Sequence, residues 1–192
     1  RVFKALLKDL NYPLAAPRAN ITTRLSSVQA SDVKDEFGSK IKYILDGGKC
    51  NIGLESTIIN LTLKPTILRL GGLDITEIKK VLKKKIGLNI NSKKRISPGQ
   101  SRLHYSPGIP LKTNVKKPKK NEAFLLIKKR KISLDNYYYL SKKSNLNEAA
   151  KNLYSLLRKI KNKGFKSISV EKIPDKGVGK TINDRLKRAS KY

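Results

Sequence analysis

Apolar positions change their spacing several times along the chain, and each change marks an element. Residues 2–10 place Val2, Phe3, Leu6, Leu7 and Leu10 on one helical face, so a short amphipathic helix is expected, ending before Pro13. Residues 11–20 hold Pro13 and Pro17 and read as extended chain. Residues 31–37 start with Ser31 as a cap, continue with acidic side chains and stop at Gly38, which predicts a helix. Residues 41–45 read as a short strand before the turn Asp46-Gly47-Gly48. Residues 56–63 set Thr57, Ile59, Leu61 and Leu63 against Ile58, Asn60 and Thr62 and are rich in β-branched residues, so a strand is expected. A further strand, 66–70, is closed by Gly71-Gly72. Residues 76–86 begin with Thr76 as a cap and predict a helix with a basic outer face.

The pattern breaks at residues 91–120, which hold Pro98, Pro107, Pro110 and Pro118 and little periodicity. This stretch reads as a linker, or as a loop lying across something. Strands are expected at 124–128, 137–140 and 167–170. The clearest helix is 145–162. Asn145 can cap it, Glu148 sits three residues on as in a capping box, and Leu146, Ala150, Leu153, Leu157 and Ile160 share a face. Another helix, 182–189, follows a Pro/Gly loop. Strand, helix, strand, loop and helix make a small α/β unit with a parallel strand pair.

Charge adds a question. The 192 residues carry 44 Lys+Arg against 14 Asp+Glu, a formal net charge of +30. Only +4 of it lies in residues 1–75, and +26 lies beyond. Such an excess suggests a polyanionic partner. Yet it consists mainly of Lys runs such as Lys83-Lys84-Lys85 and Lys128-Lys129-Arg130, and the only aromatic cluster is Tyr137-Tyr138-Tyr139. No basic groove interleaved with stacking aromatics is visible, so the runs read as a solvated surface. No apolar run approaches the about 18 residues of a membrane span. The single Cys50 excludes a disulfide framework and a multi-Cys zinc site, and a reducing cytoplasm is the expected setting. Met is absent, so Arg1 is not a translation start.

Four features are candidates for chemistry. Gly177-Val178-Gly179-Lys180-Thr181 looks like the end of a phosphate loop, but Pro174 stands where the first glycine of the full pattern belongs. It reads as a glycine turn into the last helix. His104, the only histidine, has no nucleophile-elbow context and reads as a hydrogen-bonded structural residue. Cys50 follows a tight turn and is expected to pack inside. Residues 46–57 gather Gly47, Gly48, Gly53, Ser56 and Thr57 before a strand. Spacing alone fits either a ligand-holding loop or a plain hairpin.

The motif Asp-Gly-Gly-x-Cys-x-x-Gly-Leu-Glu-Ser-Thr-Ile at 46–58 resembles the core motif of the YrdC-like threonylcarbamoyl-AMP synthases. Further pieces agree in order: Pro-Leu-Ala-Ala-Pro-Arg-Ala-Asn at 13–20, Thr-Thr-Arg-Leu-Ser at 22–26, Leu-Arg-Leu-Gly at 68–71, and Ser97-Pro98-Gly99 with His104-Tyr105-Ser106-Pro107. The last resembles the linker of the long, two-domain form, and residues 177–186 fit its appended domain. The resemblance implies an α/β fold. A partial YrdC-like catalytic domain would span 1–90, a linker crossing its cavity 91–120, and a small Rossmann-like domain 121–192. It implies an ATP-dependent nucleotidyltransferase that makes threonylcarbamoyl-AMP and pyrophosphate from L-threonine, bicarbonate and ATP, with Mg²⁺ accompanying ATP. The product would feed a tRNA threonylcarbamoyl transferase. Carried over by position, Ala16 and Ser56 would contact threonine, and Arg18, Ser26, Arg69 and Tyr105 would contact ATP. Arg18 stands where the family has Ser, and Leu70 where it has Pro. The family's catalytic domain begins well before the motif at 13–20, so the chain is expected to be truncated and inactive alone. An RNA-binding module with a basic YrdC-like concavity is the alternative.

Overall fold

The computed structural model describes residues 2–16, 18–91, 96–101 and 103–191. Pro17, part of the motif at 13–20, lies outside the described residues. The elements are α1 (Val2–Lys8), α2 (Ala30–Phe37), β1 (Ile58–Asn60), β2 (Thr66–Arg69), α3 (Ile75–Leu82), β3 (Gly87–Leu88), β4 (Leu111–Lys112), β5 (Ala123–Leu126), β6 (Tyr137–Tyr139), α4 (Leu146–Asn162), β7 (Ile168–Val170) and α5 (Gly179–Ala189).

Two sheets organise the chain. The first has the order β1-β2-β3, with β1 antiparallel and β3 parallel to β2. The second has the order β4-β7-β5-β6, and each of its pairs is parallel. A parallel sheet buries both faces, which is why β5 is an apolar run without alternation, while β7 carries a buried Ser169 whose hydroxyl donates to Glu122. All four residues of β5 and all three of β7 are buried. Helix α4 closes one face with Ala149, Ala150, Leu153, Tyr154, Leu157 and Ile160, and α5 adds Ile182, Leu186 and Ala189. Leu25 and Val28 from the N-terminal part pack into this same core.

Helix α4 starts as its sequence predicts, with a variation. Asn145 Oδ1 accepts from the Glu148 amide at 3.0 Å. The reciprocal half of the capping box runs through Ser141. Its hydroxyl donates to the Glu148 carboxylate at 2.7 Å and accepts from the Asn145 amide at 2.9 Å.

Several sequence expectations are corrected. Residues 41–45 form no strand. Tyr43 is 90% exposed and Leu45 54%, and among the described residues no neighbouring backbone supplies the ladder that a β-rich run needs. Cys50 is exposed, not packed inside, because its amide is tied to the Val28 carbonyl while the loop faces solvent. Ser31 does not cap α2. The Asp32 carboxylate accepts from the Val28 amide instead. Asp74, not Thr76, caps α3, accepting from the Thr76 amide at 2.9 Å. The Gly177 turn does lead into α5. Among the described residues no helix is long and apolar enough to cross a membrane.

Candidate functional site

The loop at 51–57 is held between β2 and α4 by two glycines. Gly53 has φ +74°, and a Cβ there would lie 2.6 Å from Lys151 Cα. A Cβ on Gly71 would lie 2.2 Å from the Thr57 amide nitrogen. The Gly72 amide donates to the Glu55 carbonyl at 2.8 Å. Backbone thus meets backbone on both sides, and the loop is not a hairpin tip.

This packing brings Ser56 and Arg69 together. Arg69 Nε and Nη2 donate to the Ser56 carbonyl at 3.1 and 2.9 Å, and Nη2 reaches the Ser56 hydroxyl at 3.1 Å. Among the described residues Nη1 has one long contact, 3.5 Å, with the Pro98 carbonyl. Arg69 is 8% exposed, whereas Ser56 faces solvent. Among the described residues no carboxylate lies within ion-pair distance of Arg69, although Arg158 and Arg188 each have one and Arg185 has two. Burial pulls the Arg69 pKa down, and nearby Tyr105 and Glu55 oppose that pull without cancelling it.

Tyr105 closes the other side. It is fully buried at φ +60°, a backbone region that a bulky residue occupies only when its surroundings hold it there. Its ring stacks on Tyr154 at 6.0 Å, and its hydroxyl is buried without a partner among the described residues. Burial pushes that phenol's pKa up.

His104 is also buried, and both of its ring nitrogens face donors. Nδ1 accepts from the Tyr105 amide at 3.0 Å, and Nε2 faces the Arg18 guanidinium at 3.3 and 3.4 Å. A neutral imidazole has one acceptor nitrogen and cannot satisfy both. Burial, then the Arg18 charge, lowers the His104 pKa from 6.5 to about 4. Arg18, exposed and weakly held, is the group free to turn elsewhere.

Ser26 donates to the Glu55 carboxylate at 2.5 Å. The structure therefore joins Ser26, Ser56, Arg69 and Tyr105 in one cluster, with Arg18 at its rim through His104. Ala16 is exposed, and among the described residues no hydrogen bond ties it to the cluster.

Sequence reasoning missed Glu55 and Arg185. Glu55 also accepts from Tyr154 at 3.0 and 3.1 Å and from Arg185 Nε at 2.9 Å. Burial raises the Glu55 pKa, but the Arg185 charge and the bonds from Ser26 and Arg185 outweigh it, leaving the carboxyl below its usual range. For Arg185, burial works against the charge. Tyr154, Glu55, Tyr105 and Asp184 more than reverse this and hold its pKa above the usual range. Glu55 lay inside the quoted motif. Arg185 lay in the stretch 177–186 that resembles the appended domain, and its further signal was being a charged residue at a helical position that faces the core. A cleft of about 440 Å³ beside Thr113, Lys172, Asn183 and Lys187 contains none of these site residues.

The fold is thus α/β, and it sets a buried arginine with no carboxylate partner among the described residues beside a Ser-Thr pair at a strand start. The comparisons with known proteins agree on the family. Residues 73–191 match the family model described as threonylcarbamoyl-AMP synthase, C-terminal domain, and residues 1–71 match one described as telomere recombination. The chain belongs to the threonylcarbamoyl-AMP synthase family. It is 33% identical to the threonylcarbamoyl-AMP synthase of Pyrococcus abyssi over 94% of this chain and 58% of that protein. The corresponding Bacillus subtilis protein is 30% identical over 97% of this chain and 59% of its own length. The crystal structure of P. abyssi Sua5 complexed with L-threonine superposes with a TM-score of 0.79 at 32% identity, covering 93% of this chain and 58% of that one. The chain thus spans less than two thirds of the curated relatives it matches.

Proposed function

We propose that the chain carries part of the machinery of an L-threonylcarbamoyladenylate synthase, a cytoplasmic nucleotidyltransferase serving tRNA threonylcarbamoyladenosine formation. The threonine amine adds to bicarbonate and loses water, giving a carbamate. A carbamate oxygen attacks the α-phosphorus of ATP, the bond to the β-phosphate breaks, and pyrophosphate leaves. The observation that supports this reading is Arg69, a buried guanidinium with neutral partners and an underused Nη1. A buried cation without a counter-ion is costly, and a phosphate would complete it with charge-assisted bonds. In this reading Arg18, on leaving His104, adds a second cation. The unpartnered Tyr105 hydroxyl and the exposed Ser56 hydroxyl supply neutral contacts, Ser56 to threonine. Ala16 would contribute backbone contacts to threonine. Ser26 would turn from Glu55 to the nucleotide.

Among the described residues no group of three or more His, Cys, Asp or Glu converges as a metal site. Mg²⁺ is therefore proposed to enter on the ATP phosphates, as this ion commonly does. Its chemistry there is to offset phosphate charge.

Isothermal titration tests the reading. L-threonine and ATP are each expected to bind the chain, and ATP binding should fall at least about tenfold in Arg69→Met, the loss expected for one charge-assisted contact. Equal ATP affinity in Arg69→Met, with the fold intact by circular dichroism, would refute the role given to Arg69.

A further inference from the structure

One side chain from the last helix touches the neighbours of both Ser56 and Arg69. Arg185 is 1% exposed. Its Nε donates to Glu55, the residue before Ser56, at 2.9 Å, and its Nη2 donates to the carbonyl of Leu70, the residue after Arg69, at 2.5 Å. Its Nη1 pairs with Asp184 at 2.6 Å, and its guanidinium carbon lies 4.6 Å from the centre of the Tyr105 ring. The same helix also seats itself on residues on both sides of the boundary near residue 90. Thr181 donates to the Gly71 carbonyl at 2.9 Å, and Arg188 donates to the Ile90 and Ser101 carbonyls. Helix α4 adds Tyr154 on Glu55, and Arg158 on the carbonyls of Leu25 and Ser26.

A guanidinium has a rigid planar fork. When its arms are anchored on two different segments, the fork fixes the distance between those segments. Here the segments are the loop carrying Ser56 and the strand end carrying Arg69. We infer that Arg185 is a positioning residue. From the C-terminal unit it sets Ser56 and Arg69 in register, so that the site is held in shape by a domain that contributes no ligand contact through this residue. The inference rests on the reading of Ser56 and Arg69 as ligand contacts. A buried ion pair is weak evidence for stability as such, since well-packed apolar replacements are often neutral. Its value here lies in the geometry it imposes.

Hydrogen exchange on the chain without ligand reads that geometry directly. The reporter is the Gly72 amide, which bridges the two segments by donating to Glu55. Reference amides are Leu140 and Glu171, bonded within the second sheet to Leu126 and Leu125. In Arg185→Gln, Gly72 is expected to exchange at least about tenfold faster while the reference amides hold. Unchanged protection at Gly72 overturns the inference. Should Arg185→Gln not fold, the charge-balanced pair Glu55→Gln with Arg185→Met keeps the core filled. The same selective loss at Gly72 is expected in it, and full protection there overturns the inference.

Threonine titration separates this inference from the proposed function. Wild-type protein that binds no threonine refutes the function, and the Gly72 result alone then decides the role of Arg185. With wild-type binding present, Arg185→Gln is expected to bind at least about tenfold more weakly, and Arg185→Lys, a point charge without the fork, to recover only part of the loss. Equal threonine affinity in wild type and Arg185→Gln overturns the inference.

Discussion

Acid should destabilise this protein through one identifiable group, His104. Its pKa is lowered from 6.5 to about 4 because it is buried and faces Arg18. Folding therefore holds the ring neutral, and the unfolded chain binds a proton that the folded chain refuses. Stability from this source is full above the unfolded value of 6.5 and is lost as pH falls toward 4. Each pKa unit corresponds to about 1.4 kcal/mol. Between pH 7 and pH 5 the loss is about 2 kcal/mol, and by pH 4 about 3 kcal/mol. Since His104 is the chain's only histidine, its Hε1 proton gives a single resonance, and NMR titration reads the folded pKa directly. Urea unfolding at pH 7 and pH 5 reads the energy. Wild type should lose about 2 kcal/mol more than His104→Gln over that interval, the difference removing what the carboxylates contribute to both proteins. Arg18→Ser removes the second cause of the shift and should raise the pKa. An imidazole titrating near 6.5, or equal pH dependence in wild type and His104→Gln, would refute the argument.

Other substitutions test the packing. Gly53→Ala forces a Cβ onto the Lys151 backbone at a positive φ, and should cost about 1–3 kcal/mol by chemical denaturation and disturb threonine binding. Asn145→Ala removes the α4 cap and should cost about 1 kcal/mol in the same assay. Leu153→Ala, at a fully buried position under the second sheet, should cost about 2–5 kcal/mol. Cys50 should react with a thiol reagent in the folded state about as fast as an unhindered thiol.

Legibility followed the range of the interactions. Helix α4 was read almost to the residue, because its cap and its apolar stripe are local signals. Three strands of the second sheet, β5, β6 and β7, were also legible as short runs rich in apolar and aromatic residues, whereas β4 lies in the stretch 91–120 that reads as a linker. Residues 41–45 look the same by composition, yet a strand exists only where a neighbour offers a ladder, and the sequence does not show who the neighbour is. The cluster of Ser26, Ser56, Arg69 and Tyr105 was reachable through motif resemblance. The pairing of Glu55 with Arg185 was not: each lies in a stretch that resembles the family, but the two are 130 residues apart and nothing local links them. Only the fold shows that they bury one another.

The order β4-β7-β5-β6 also bears on how the chain assembles as it is synthesised. Strand β7 is made last but lies between β4 and β5, so the second sheet has an open slot until residues 168–170 have emerged. The guanidinium that neutralises Glu55 comes later still. The motif-bearing loop therefore keeps a carboxylate awaiting its counter-charge until residue 185 has been made. Premature termination before residue 168 would leave both defects in one molecule, a species suited to chaperone capture and proteolysis, and termination between 171 and 184 would leave only the unpaired Glu55.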